Sequence, residues 1–443
     1  MPCLRARVFF TTWPTALMSP LYQFEADLVS VEIDIWRHRQ RPPYFLVVLQ
    51  GNDHTPDGLI RFRQHLMHEP HIAQSLYYSF DDAILRATAQ NDPGGFVASL
   101  PEAVTLDEVQ RAPEILLAIK MTVDENRRPG RFLLTGSANL FLLPSVGESL
   151  AGRMGIVRLH PLTEAEKARK PGRLVENFLA GNLRTRIGPS APGASDLIGR
   201  VLRGGYPEAL RRPQMARVRQ WYRDYLDALI EKDAPDVANL RNLDHLSRLL
   251  KLLSSQTAQL LAVESVAKHL AIRRETVQNN LAALERLFLI RRLSAWHRNE
   301  GKRLVKAPKV HMVDSGFAAT LAGLEAQDWT TQRGRFGHLV ESFAVQQLIA
   351  QAAWTEPEIE FSHYRDRDQV EVDAVMTRGR KTWGVEVKAA ANVGPSDGAG
   401  LRRLAEQCGK DFQSGMILYV GASTFPTADR RITAVPISDL WTS

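Results

Sequence analysis

The chain has 443 residues, which at about 150 residues per domain corresponds to more than one domain. Apolar residues make up 44% and charged residues 24%, so a large core can be buried. A disordered tail, a collagen-like fibre and a small disulfide scaffold are excluded. The 56 Lys+Arg against 49 Asp+Glu leave a formal charge of +7, which suits a polyanionic partner without requiring one.

Cys3 and Cys408 are too few for a disulfide framework or a four-cysteine zinc site. Arg5 and Arg7 precede Val8-Phe9-Phe10, but Thr11, Thr12, Pro14 and Thr15 interrupt any signal-peptide core. With no apolar run of about 18 residues, the expectation is a cytoplasmic protein with no membrane partner. Residues 1–40 carry no clean periodicity, and Met18 serves equally as a start.

The run Tyr44–Gln50 ends at Gly51 and reads as a buried parallel strand. Tyr77–Phe80, Ala103–Leu106 and Arg131–Leu134 read as further strands, with helical patterns at Ile60–His68 and Pro113–Thr122 between them. Strand alternating with helix predicts a doubly wound parallel sheet. Gly181–Asp196, rich in Gly, Pro, Ser and Arg, is the best linker candidate, and Trp221–Phe288 is helical in pattern. A helix at Phe336–Ala350, strands at Val370–Met376 and Trp383–Lys388, and a helix near Leu401–Cys408 follow.

The strand ending in Asp107-Glu108 suits phosphoryl transfer. An Asp there holds the Mg²⁺ coordination sphere, and the adjacent Glu polarises the attacking water. Phe132–Ser137 ends in small polar residues, so that Ser137 offers a hydroxyl to the γ-phosphate. Arg153, in Ser149–Arg153, offers a transition-state arginine. Singly, the same residues serve as a helix cap or a turn.

Several strings together resemble a known family: Asp81-Asp82, Asp92-Pro-Gly-Gly-Phe96, Leu106–Glu114, Gly130–Ala138, Glu148–Met154, Gly204–Ala209, Lys306–Val310 and Asp314–Phe317. They resemble prokaryotic AAA-type P-loop ATPases that carry a C-terminal domain of unknown function, over about residues 44–420. The resemblance implies ATP and Mg²⁺ as cofactors, with Gly51, Gly58, Asp107 and Ser137 around the nucleotide. One departure stands out. A P-loop needs G-x-x-x-x-G-K-[ST] so that backbone N–H groups, the lysine and the hydroxyl hold the phosphates and Mg²⁺. Here Gln50–Arg61 keeps Gly51 and Gly58 but has no lysine followed by Ser or Thr, and Asp53 and Asp57 repel phosphate. Three readings follow: a divergent pocket with impaired ATP binding, an ATPase fold kept as scaffold, or local corruption of the sequence between matching flanks.

Leu260–Leu270, a tight turn at Ala271-Ile272, and Arg273–Leu287 read as helix, turn, helix. In a winged helix the second helix enters the DNA major groove. Arg273, Arg274, Thr276, Gln278 and Asn279 are then the contact candidates, and Ile290–Leu293 with His297–Arg303 supply the wing. The same pattern serves a lid or dimer module, which leaves homo-oligomerisation open.

Glu341, Asp373, Glu386 and Lys388 fit the order of a PD-(D/E)XK nuclease core. Asp373 and Glu386, aided by Glu341, would hold Mg²⁺, and Lys388 would orient or deprotonate the attacking water. The competing reading is a Glu386–Lys388 surface pair on a hairpin.

The predicted architecture is α/β throughout: an uncertain segment at 1–40, a P-loop AAA-type doubly wound domain at 41–180, and a linker and helical segment at 181–245. A winged-helix-like domain at 246–304 and a restriction-endonuclease-like domain at 305–443 complete it. The expected function is that of an AAA-type ATP-binding, ATPase-like protein acting on or with DNA, with ATP binding impaired by the degenerate loop. The alternatives are a Mg²⁺-dependent nuclease regulated by a pseudo-ATPase and a non-catalytic DNA- or protein-binding member, linked to mobile elements or toxin-like systems.

Overall fold

The computed structural model describes residues 46–50, 76–126, 130–136, 154–188, 194–233, 243–298, 307–356 and 358–442. Strands Leu46–Gln50 (β1), Leu76–Ser79 (β2), Val104–Asp107 (β3), Phe132–Gly136 (β4) and Met154–Arg158 (β5) form one parallel sheet. Its order is β2-β3-β4-β1-β5. Helices Ala83–Asn91 (α1), Pro93–Ser99 (α2) and Ile115–Glu125 (α3) connect the strands. The short apolar strand runs are what a parallel sheet covered by helices requires. Phe80, Val97, Leu106, Ile115 and Phe132 form its core.

Caps explain the acidic strings here. Asp82 accepts from the Ile84 and Leu85 N–H groups at the start of α1. Asp92 accepts from the Gly95 N–H at the start of α2, where Pro93 opens the helix. Gly95 is a close-approach glycine, because a Cβ there would lie 2.1 Å from Asp92 Oδ2.

The chain then turns helical with Ala194–Arg203 (α4), Met215–Ala228 (α5) and Leu243–Ser255 (α6). The segment expected to be a linker is pinned at its amino-terminal end. Arg186 and Thr424 exchange backbone hydrogen bonds of 2.8 Å each, and Arg186 pairs with Asp439 at 2.6 Å. Its last residues, Ala194 onward, are already helix.

From α6 onward comes Gln259–Leu260 (β6), Val263–Leu270 (α7), Arg274–Arg286 (α8), Ile290–Leu293 (β7) and Lys309–Met312 (β8). The three strands form an antiparallel sheet in the order β6-β8-β7, giving a winged-helix arrangement. Its last strand, β8, lies beyond residue 304, where the sequence division set the boundary. The predicted helical run is interrupted by β6, and the α7–α8 turn falls at Ala271, which adopts a left-handed backbone.

Ser315–Ala322 (α9) and Arg333–Thr355 (α10) precede a mixed sheet. Its strands are Glu360–Arg365 (β9), Glu371–Arg378 (β10), Lys381–Lys388 (β11), Phe412–Tyr419 (β12), Phe425–Pro426 (β13) and Ile432–Pro436 (β14). The order is β13-β14-β12-β11-β10-β9. Helix Ala399–Cys408 (α11) covers one face with Leu401 and Leu404. Helix α10 lies against the other, and its buried residues run around its whole circumference. Such a helix belongs in an interior rather than at a surface. One apolar core runs from Leu174 to Trp441 and joins the helical middle, the winged helix and this sheet.

The strings Gly204–Ala209 and Asp314–Phe317 meet inside that core. Asp314 accepts from the Gly205 N–H at 2.6 Å, the Tyr222 hydroxyl at 2.8 Å and the Phe317 N–H at 2.7 Å. Gly204 has φ +72°, and a Cβ there would come 2.3 Å from Asp314 Oδ1. Among the described residues, no helix is long and apolar enough to cross a membrane.

Candidate functional site

Asp107 closes β3, flanked by β2 and β4. Three hydroxyls aim at its carboxylate: Tyr77 at 2.5 Å, Ser79 at 3.1 Å, and Thr135 from β4. Among the described residues no Lys or Arg pairs with Asp107. Glu108 follows in a left-handed conformation, φ 56°, and takes a hydrogen bond from the Gln110 side chain. Burial, then the Asp107 charge, pushes the Glu108 carboxyl up to about 7, a value suited to moving a proton near neutral pH. Tyr77 and Thr135 were missed from sequence; the signal was their position on the two strands beside β3. Gly51, Gly58, Ser137 and Arg153 lie outside the described residues.

The α7–α8 pair holds Val277, Leu281 and Leu284 in the core. That orientation leaves Arg273, Arg274, Gln278 and Asn279 exposed and Thr276 half-buried at the start of α8. Arg274 pairs with Glu264 of α7 at 3.3 Å, both side chains being mostly exposed. The wing departs from expectation. Arg291 of β7 donates to Gln346 of α10 at 3.1 Å, and Arg292 is bound to Glu285, so neither is free for phosphate. Arg291 is turned toward α10, whereas Arg292 is held by Glu285 of α8. Residues 299–303 of the expected wing lie outside the described residues.

The third cluster forms where α10, β10 and β11 meet. Glu341, Asp373 and Glu386 are all buried. Asp373 lies at a register shift between Val372 and Val375 rather than at a strand end, and such a bulge re-aims a side chain. Its Oδ2 accepts from the Val387 N–H at 2.9 Å. Lys388 Nζ lies 2.8 Å from Glu386 Oε1, while Glu386 Oε2 is buried without a hydrogen-bond partner. His338 Nδ1 sits 3.7 Å from Glu341 Oε2. All four residues expected from sequence are therefore neighbours.

A fifth residue was missed. Lys309 of β8 reaches out of the winged-helix sheet, with its Nζ 2.5 Å from Glu341 Oε1 and 3.1 Å from Asp373 Oδ1. The signal was available, because Lys309 falls within the string Lys306–Val310. Burial works against the Lys309 charge, but Asp373 and then Glu341 outweigh it and hold the ammonium well above its usual range. Burial would raise the Asp373 carboxyl, yet Lys309 and the Val387 N–H keep it below the usual value. Burial, then Asp373, drives Glu386 well up and Glu341 up to about 7.

This arrangement does not fit Mg²⁺. An ammonium already bridges the helix and strand carboxylates, and among the described residues no three Asp, Glu, His or Cys side chains are grouped to hold a metal. Asp373 and Glu386, expected to hold Mg²⁺, are paired with Lys309 and Lys388. The residue types suit the ion, and the lysine stands in its way.

Residues 60–167 match the model of an AAA domain. Residues 60–167 are thus an AAA-type domain. Residues 194–328 match a domain of unknown function, DUF8612, and residues 336–440 another, DUF4143. The AAA match begins beyond Gly51 and Gly58. Over 359 residues the chain is 27% identical to uncharacterized proteins of Mycobacterium bovis and Mycobacterium tuberculosis, covering 81% of this chain and 73% of each relative. The DNA-bound ORC1 protein of Aeropyrum pernix aligns with 72% of this chain and 94% of its own, at 13% identity and a TM-score of 0.25. AMPPCP-bound DnaA of Aquifex aeolicus aligns with 61% and 89%, at 15% identity and a TM-score of 0.23.

Proposed function

We propose that this chain is an AAA-type ATP-binding protein that engages duplex DNA through α8. The observation that carries the reading is the outward face of that helix. Arg273, Arg274, Gln278 and Asn279 stand exposed at its start while the opposite face is core. Cationic and amide side chains there suit phosphates and base edges in a major groove. Fluorescence anisotropy with a labelled duplex at several salt concentrations tests it. Arg273→Ala with Arg274→Ala should weaken binding about tenfold and lower the salt slope by about two. Binding indifferent to the double substitution removes the reading.

In the AAA domain, Asp107 has oxygen partners and no described lysine or arginine paired to it, so it fits Mg²⁺ brought in by a nucleotide. Bound there, the ion would neutralise phosphate charge, and Glu108 would orient the water. Because residues 50–61 lack the phosphate-binding lysine, we infer weak ATP binding. Titration of a fluorescent ATP analogue with Mg²⁺, with Asp107→Ala as control, decides this. Micromolar affinity lost in the variant would show that the divergent loop works, and no binding up to millimolar would make the domain a pseudo-ATPase.

A second reading, a Mg²⁺-dependent nuclease regulated by a pseudo-ATPase, has the convergence of Glu341, Asp373, Glu386 and Lys388 in its favour and Lys309 against it. Plasmid nicking that is the same for wild type and Lys388→Ala would eliminate it.

A further inference from the structure

Strand β8 completes the winged-helix sheet through Val310 and Met312, which are buried in the shared core. That packing role needs no lysine. Yet Lys309 is only 3% exposed, and a buried ammonium is costly unless it is closely paired. Its two partners, Glu341 and Asp373, come from separate elements, helix α10 and strand β10, which Lys309 bridges from a third. Glu386 Oε2 is buried and unpartnered, an oxygen that a divalent cation in the place of Lys309 would recruit.

We infer that Lys309 is the resident cation of the Glu341–Asp373–Glu386 site, held by the winged helix in the position a divalent metal ion would take. The site is closed to metal while β8 is docked and becomes a divalent-cation site when that lysine is removed. The winged helix thereby carries the group that decides whether the carboxylates meet metal.

The test uses the full-length, nucleotide-free chain and Mn²⁺ alone, followed by calorimetric titration and by melting temperature. Lys309→Met keeps the aliphatic stem and removes the charge, and Asp373→Asn identifies binding at this site against binding at Asp107. The expected result is no Asp373-dependent Mn²⁺ binding in wild type or Lys309→Arg. Lys309→Met should show one added site, at least about tenfold tighter than any wild-type signal, with a Mn²⁺-dependent rise in melting temperature lost in Lys309→Met/Asp373→Asn. Asp373-dependent binding in the wild type would overturn the inference. So would a folded Lys309→Met that takes up no Mn²⁺, and so would a Lys309→Met that fails to fold both with and without Mn²⁺, since an ion able to replace the ammonium would restore the fold.

Discussion

Among the described residues, the acidic cluster at the end of β3 and the one where α10, β10 and β11 meet are neutralised in opposite ways. At Asp107 the partners are hydroxyls from neighbouring strands, Tyr77, Ser79 and Thr135, which orient the carboxylate and leave its charge in place. At Glu341 and Asp373 the partner is a buried lysine from another structural unit, which cancels the charge. The same residue types therefore stand ready for an external cation in one place and are satisfied internally in the other. The surrounding cores differ to match. The AAA sheet has a core of its own, whereas the winged helix and the terminal sheet share one, and only a shared core can deliver a lysine across that boundary.

The contrast is broken most strongly by Lys309→Ala. Leaving two buried carboxylates without their ammonium should cost about 3–5 kcal/mol in urea unfolding. A loss under about 1 kcal/mol would mean that the pair is solvated like a surface ion pair. The next effect is one of pH. Glu341 is raised in the folded chain to about 7, above its unfolded value. Its contribution is therefore complete below about pH 4.5 and is lost as the pH rises through about 7. Stability should fall by on the order of 1–3 kcal/mol across that window, and Glu341→Gln should flatten the curve in melts at stepped pH. A change smaller than the first is expected at the other cluster. Thr135→Val removes one of three hydroxyl hydrogen bonds to the Asp107 carboxylate and should cost about 1.5–3 kcal/mol in the same urea assay, below the loss of Lys309. Smallest of all, Arg274→Ala should leave the melting temperature unchanged, because its pair with Glu264 is solvent-exposed. A shift of several degrees would mean that α8 is held by that pair, leaving Arg274 unavailable to DNA.

Much of this could be read from the chain because it is local. The strand runs around Val104–Asp107 and Phe132–Gly136, the helix–turn–helix at 263–286 and the hairpin turning at Gly379-Arg380 depend on apolar periodicity and turn chemistry within a few residues. The order Glu341, Asp373, Glu386, Lys388 was legible for the same reason, since each position is a type set on a predictable element. The roles of Arg291 and Arg292 were not legible. A cation two residues into a strand reads as exposed, and only the docking of α10 against the wing gives Arg291 a partner in Gln346.

The sequence by itself determined the elements, their α/β character and the acidic residues placed on them, because hydrophobic period and side-chain chemistry are written residue by residue. The tertiary structure alone decided what neutralises each cluster. Lys309 lies 32 residues from Glu341 and 64 from Asp373, and their meeting depends on one apolar core folding the winged helix and the terminal sheet together. Electrostatic energy falls with distance through space and takes no account of separation along the chain, so the partner of a buried charge appears only once the chain is folded.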